Sequence, residues 1–102
     1  MDAPNPLDRL AAWYASQCDG SWEHHNGISI ATSDNPAWNV RISLVGTSAE
    51  GTHIPTFESP DYLDNSSDWV RCWLSDKGDE YFGVGDPSKL PFIVDYFLSH
   101  VS

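Results

Sequence analysis

The strongest constraint on the fold is a strict two-residue alternation between positions 38 and 44. Apolar and polar side chains alternate there in the order Trp38, Asn39, Val40, Arg41, Ile42, Ser43 and Leu44. Successive side chains of a β-strand point to opposite faces, so the segment predicts a strand with one buried face. Ile28 and Ile30 alternate in the same way, and the turn-forming residues 33–36 (Ser-Asp-Asn-Pro) lie between the two segments. An antiparallel hairpin is therefore predicted.

Helical patterns flank these strands at both ends of the chain. Asn5 followed by Pro6 is typical of a helix start, with Asn as the N-cap and Pro in the first turn. We expect this helix to end near Gln17 or Cys18, before Asp19. The last pattern repeats apolar residues at helical spacing, namely Leu90, Ile93, Val94, Phe97, Leu98 and Val101.

Between the helices, residues 69–74 and 80–84 have strand composition and are separated by the tight turn 76–79. A short strand at 56–58 is a further candidate. The order helix, hairpin, loop, hairpin, helix predicts a single α+β domain over residues 1–102. We expect an antiparallel sheet of four to five strands, with an N-terminal and a C-terminal helix packed on one face.

The charge of the chain is strongly negative. It carries 15 Asp plus Glu against 5 Lys plus Arg, a formal net charge of -10. Such a chain repels phosphate backbones and is attracted to basic partners, so we expect no nucleic-acid binding. No apolar run of about 20 residues predicts a membrane span, and residues 1–6 do not resemble a signal peptide. The expectation is a cytoplasmic protein with reduced thiols and no cofactor, as a monomer or a weak homo-oligomer.

Reactive side chains are concentrated after the first helix. Cys18, His24 and His25 are chemically suited to nucleophilic catalysis or metal binding. The neighbouring acids disfavour a thiolate, however, and a Cys18 buried at the helix end is the favoured interpretation. The spacing matches no zinc motif, and adjacent histidines on a strand would point to opposite faces. A small enzyme or metal-binding protein using these three residues remains the alternative.

Acidic and aromatic residues are grouped along the second half of the chain. One group is Glu58, Asp61, Tyr62, Asp64 and Asp68, and the other is Asp76, Asp79, Glu80, Tyr81 and Asp86. Aromatic side chains supply binding energy in interfaces, while charges set the association rate and orientation. Each group is therefore either an interface or a set of solvated loop residues. Trp13, Trp38 and Cys72 fit core positions, whereas Trp69 and Trp73 share a strand face that is either packed under a helix or exposed.

Several motifs of the chain are shared with a known family. They are Trp13-Tyr14, Gln17-Cys18-Asp19-Gly20, Trp22-Glu23-His24, Gly27-Ile28, Asp34-Asn35-Pro36, Trp38, Asp68-Trp69 and Cys72-Trp73. In these motifs, from about Leu7 to about Leu98, the chain resembles the immunity protein 53 family of bacterial polymorphic toxin systems. Ala37 stands where a glycine is expected, and residues 46–67 align with nothing in the family pattern.

The resemblance implies a protein without enzymatic activity that binds and neutralises a cognate toxin domain. Many such toxins are nucleases with basic clefts, which an acidic inhibitor would occupy as a phosphate mimic. We predict a toxin-binding surface of acids and aromatic anchors, with no catalytic or metal-binding residues. Its predicted members are Asp19, Trp22, Glu23, Glu58, Asp61, Tyr62, Asp64 and Asp68.

Overall fold

A computed structural model describes residues 5–34, 36–59 and 68–101. Its helices and strands are α1 (Pro6–Gln17), α2 (Trp22–His25), β1 (Ile28–Ser33), β2 (Ala37–Ser43), β3 (Phe57–Glu58), β4 (Val70–Leu74), β5 (Glu80–Gly85) and α3 (Leu90–Val101). The five strands form one sheet in the order β1-β2-β5-β4-β3, with every neighbouring pair antiparallel. The predicted α+β class is confirmed, with a five-stranded antiparallel sheet and a helix at each end of the chain.

Helix α1 begins and ends where the sequence predicts. The Asn5 side chain accepts a hydrogen bond from the Asp8 N–H at 2.9 Å, which satisfies one of the free N–H groups of the first turn. The helix ends at Gln17, and Cys18 is its C-cap in an extended conformation. Leu10 and Trp13 form its buried face.

One face of the sheet carries the core. Val40, Ile42, Cys72 and Tyr81 alternate with outward-facing residues and are almost completely buried. Helix α3 packs directly on this face at Gly83, where an added Cβ would lie 2.3 Å from Cγ2 of Ile93. The Tyr81 hydroxyl donates a hydrogen bond to the Ile93 carbonyl at 2.7 Å, which ties the helix to β5.

Helix α1 lies beside α3 on the same side of the sheet. The ring of Trp13 meets that of Phe97 edge to face, with centroids 5.0 Å apart. Leu10 and Trp13 join the same core cluster as Val40 and Ile42. Both helices therefore cover one face, as predicted, and we call the opposite side the open face.

Several local expectations are corrected. Cys18 lies at the helix end but is exposed, so its predicted burial is wrong. The histidines at 24 and 25 lie on the single helical turn α2, so the argument from opposite faces of a strand does not apply to them. Trp38, predicted as a core residue, is only half-buried and packs against the edge of the core. The predicted burial of Cys72 is confirmed, since it is 0% exposed.

None of the helices formed by the described residues has the length and apolar character required to cross a membrane.

Candidate functional site

The predicted acids Asp19 and Glu23 belong to a tight corner between α1 and α2. Oδ1 of Asp19 accepts hydrogen bonds from the N–H groups of Ser21 and Trp22, each at 2.9 Å. The Glu23 carboxylate accepts from the N–H of Asp19 at 3.0 Å and from that of Gly20 at 2.8 Å. Each carboxylate thus satisfies backbone groups of the other's segment, and together they fix the start of α2.

These hydrogen bonds also keep the corner negatively charged. Donation from the N–H groups of Trp22 and Ser21 lowers the pKa of Asp19. The pKa of Glu23 is lowered by its own backbone N–H and by those of Asp19 and Gly20. Both side chains remain solvent-accessible, so the corner presents two carboxylates to any partner.

Trp22, the predicted aromatic anchor of the corner, is 6% exposed. Its ring packs 5.8 Å from that of Tyr14 and meets Trp13 perpendicularly at 6.4 Å. The indole N–H groups of Trp13 and Trp22 are buried with no hydrogen-bond acceptor among the described residues. The perpendicular arrangement of the two indoles is one that aromatic pairs favour. In this conformation Trp22 anchors the corner and offers little of its ring to a partner.

Glu58 lies on the open face of the sheet, within a row of paired side chains. Its carboxylate accepts a hydrogen bond from the Arg71 guanidinium at 2.7 Å, and that guanidinium lies 4.1 Å above the ring of Trp73. Trp73 in turn stacks on Phe82, with centroids 5.4 Å apart. None of the helices in the described part of the chain therefore covers Trp73. It forms an aromatic platform with Phe82 beside the Glu58–Arg71 ion pair.

Asp68 belongs to an ion cluster at the start of β4. Lys89 bridges the carboxylates of Asp68 and Asp86, the latter at 2.9 Å. Asp86 is 2% exposed and also accepts hydrogen bonds from the Trp69 N–H at 2.9 Å and from Ser88. Burial alone would raise the pKa of Asp86, but the bonds from Ser88, Lys89 and Trp69 hold it well below its ordinary value.

The described members of the predicted site fall into two separate groups. Asp19, Trp22 and Glu23 precede β1 at one edge of the sheet, whereas Glu58 and Asp68 lie near β3 and β4 at the other. The remaining predicted members, Asp61, Tyr62 and Asp64, lie outside the described residues.

The pairing of cations with acids of the same chain is a feature that the sequence does not predict. Four of the five cations are held by acids of the chain: Arg9 by Asp95, Arg41 by Glu80, Arg71 by Glu58, and Lys89 by Asp68 and Asp86. Most of the positive charge is therefore compensated locally, while seven of the 12 acids among the described residues lie outside these pairs.

The residues of the alternative hypothesis make ordinary backbone contacts. Sγ of Cys18 donates a hydrogen bond to the Tyr14 carbonyl at 3.3 Å. Nδ1 of His25 lies 3.2 Å from the Ser21 carbonyl oxygen. Over residues 5–34, 36–59 and 68–101, no three His, Cys, Asp or Glu side chains are grouped so that they could hold a metal ion.

The fold and these surfaces define a small acidic α+β protein with charged and aromatic groups on its open face. The family model for immunity protein 53 matches residues 7–102, and the chain belongs to this family. The resemblance seen in the sequence motifs is thereby confirmed. Comparisons with curated proteins and with solved structures find no match.

Proposed function

We propose that the chain binds a cognate bacterial toxin domain and neutralises it through an acidic surface that contains aromatic anchors, without catalysis of its own. Membership of the immunity protein 53 family carries this proposal. The net charge of -10 supports it, because a field of one sign attracts a partner of the opposite sign and raises the association rate. The toxin surface would then be basic, as a nuclease cleft is, and the complex would form in the cytoplasm.

The predicted contacts differ in how they would act. The corner carboxylates Asp19 and Glu23 are ordered by backbone N–H groups and reach a partner without losing further side-chain freedom. Glu58 is already paired with Arg71, so a toxin arginine or lysine would have to share or displace that partner. Preordered charges are the less costly contacts, since ordering a side chain on binding opposes association.

Titration calorimetry against the toxin domain encoded by the neighbouring gene tests the proposal. We expect a one-to-one complex whose affinity falls as salt is raised from about 0.01 M to 1 M, where the Debye length shrinks from ~30 Å to ~3 Å. No detectable complex at micromolar concentration and low salt would refute it.

Charge-matched variants locate the surface. Asp19→Asn and Asp95→Asn each remove one negative charge, but Asp95 lies on α3 and pairs with Arg9. We expect Asp19→Asn to slow association more than Asp95→Asn does. Equal effects would mean that only the net charge matters and that the corner makes no contact.

A further inference from the structure

Strand β1 forms an edge of the sheet, and half of its backbone groups point away from the sheet. The Ser43 N–H donates a hydrogen bond to the Gly27 carbonyl at 3.0 Å, and the pairing continues in register from there along β1 and β2. Hydrogen-bonded and non-hydrogen-bonded pairs alternate in an antiparallel ladder. The N–H and C=O groups of Ile28, Ile30 and Thr32 are therefore directed outward.

This edge lacks the usual protection against pairing with another strand. Residues Ile28–Ser33 include no charged residue and no proline, and five of the six are exposed. Natural edge strands are commonly kept short or carry lysine, proline or a bulge. The opposite edge follows that rule, because β3 spans two residues. Of the two edges formed by the described residues, β1 is the longer one.

A groove of mixed polarity, with mainly apolar side chains, runs beside this edge on the helix side of the sheet. It is an open groove of about 470 Å³ between one stripe of α1 and the segment entering β1, and its lining residues are Leu7, Leu10, Ala11, Tyr14, Asn26, Gly27 and Ile28. Leu7 is 52% exposed and Ile30, on the same sheet face, is 38% exposed. Alternate side chains of a strand added to β1 would project into this groove.

We propose that the toxin donates an extended segment to β1, so that strand addition forms the core of the complex; this inference rests on the proposed function. The donated segment would place apolar side chains at alternate positions in the groove and carry basic residues at its ends. Its main-chain hydrogen bonds supply affinity, and the groove supplies specificity.

Charge selects the toxin over a second copy of this chain as the occupant. Pairing two β1 edges would bring together two molecules that each carry a net charge of -10, and their repulsion opposes a homodimer. The groove lining itself is uncharged, while Asp8 lies on α1 beside Leu7 and Asp34 follows the end of β1. A segment that is apolar in the middle and basic at its ends complements this arrangement.

The corner connects the edge to the proposed acidic surface. Tyr14 lines the groove and packs on Trp22, and Asn26, which also lines the groove, donates its N–H to the Trp22 carbonyl at 2.9 Å. A segment on β1 would therefore end close to the carboxylates of Asp19 and Glu23. One toxin surface can therefore contact both the edge of β1 and these two carboxylates.

Hydrogen exchange of the wild-type complex tests strand addition directly. In a complex saturated with the neighbouring gene's toxin domain, we expect the amides of Ile28, Ile30 and Thr32 to gain at least tenfold protection. A saturated complex with unchanged exchange at these amides would overturn the inference while leaving the proposed function in place. If the free chain instead dimerises in sedimentation runs and protects these amides without toxin, the second copy is the occupant and the inference is wrong.

Variants provide an independent readout. Ile30→Pro removes an outward N–H but none of the bonds to β2, and proline is tolerated on edge strands; we expect toxin affinity to fall about tenfold or more. Leu7→Ala truncates the groove wall and should also weaken binding, whereas Val45→Ala, at another exposed apolar site that does not line the groove, should not. Circular dichroism checks the fold of each variant. If Ile30→Pro does not fold, the Leu7 and Val45 pair decides: equal affinities would overturn the inference.

Discussion

Asp19 and Glu23 hold each other's backbone in place: the Glu23 carboxylate accepts the N–H of Asp19, and Asp19 accepts the N–H of Trp22, which begins α2. A four-residue helix has no intrinsic stability, because too few hydrogen bonds offset the cost of nucleation. The two carboxylates and the burial of Trp22 together replace the missing helical bonds.

The corner should therefore be sensitive to acid. Folding lowers the pKa values of Asp19 and Glu23 from 3.8 and 4.5. A lowered pKa stabilises the fold above the ordinary value and ceases to do so as pH falls through the folded value. We expect wild-type stability to decline below about pH 4.5, and Asp19→Asn with Glu23→Gln to decline less steeply there. Thermal melting from pH 7 to pH 2 measures this, and parallel curves would contradict it.

The contact of α3 with β5 should tolerate no side chain at position 83. Gly83→Ala would place a methyl group 2.3 Å from Cγ2 of Ile93, so the helix must move or Ile93 must leave its rotamer. We expect the free energy of unfolding to fall by about 1–3 kcal/mol in urea titrations. Gly27→Ala is the matched control, because nothing lies within 4 Å of its Cβ position. Similar midpoints for the two variants would show that the helix packs less closely than described.

The buried carboxylate of Asp86 should be needed for stability. It accepts hydrogen bonds from the Trp69 N–H and from Ser88 and pairs with Lys89, so it joins the start of β4 to the turn before α3. We expect Asp86→Ala to lower the free energy of unfolding by about 1–3 kcal/mol, because it leaves buried donors without an acceptor. Asp76→Ala, in the exposed turn between β4 and β5, should have an effect within about 0.5 kcal/mol. Comparable losses for both variants would argue against the cluster.

The parts of the fold that could be predicted are those that short sequence patterns determine. The alternation from Trp38 onward and the Asn5-Pro6 cap each specify one element regardless of the rest of the chain. The sequence pattern does not predict helix α2, because this turn depends on side chains that accept hydrogen bonds from nearby backbone N–H groups and not on helical periodicity. Cys18 was placed in the core because its position at a helix end says nothing about which side of α1 it occupies.

The candidate site was predictable in composition but not in arrangement. The sequence shows which residues are acidic, yet the pairing of Glu58 with Arg71 depends on the register of β3 and β4. The edge position of β1 likewise follows from the strand order, which among the described residues places β1 beside β2 alone. Distances between strands that are remote in sequence are set by tertiary packing, and no spacing rule reports them.

The two cysteines should react very differently. Cys18 is exposed and Cys72 is buried on the core face, where desolvation raises the pKa of its thiol. We expect one thiol per folded chain to react with Ellman's reagent, and two after unfolding in guanidinium chloride. Cys18→Ser should abolish the reaction of the folded chain while leaving toxin binding and protection of cells from the toxin unchanged. If Cys18→Ser or His25→Ala instead abolished protection while binding persisted, chemistry at these residues would replace binding as the mechanism.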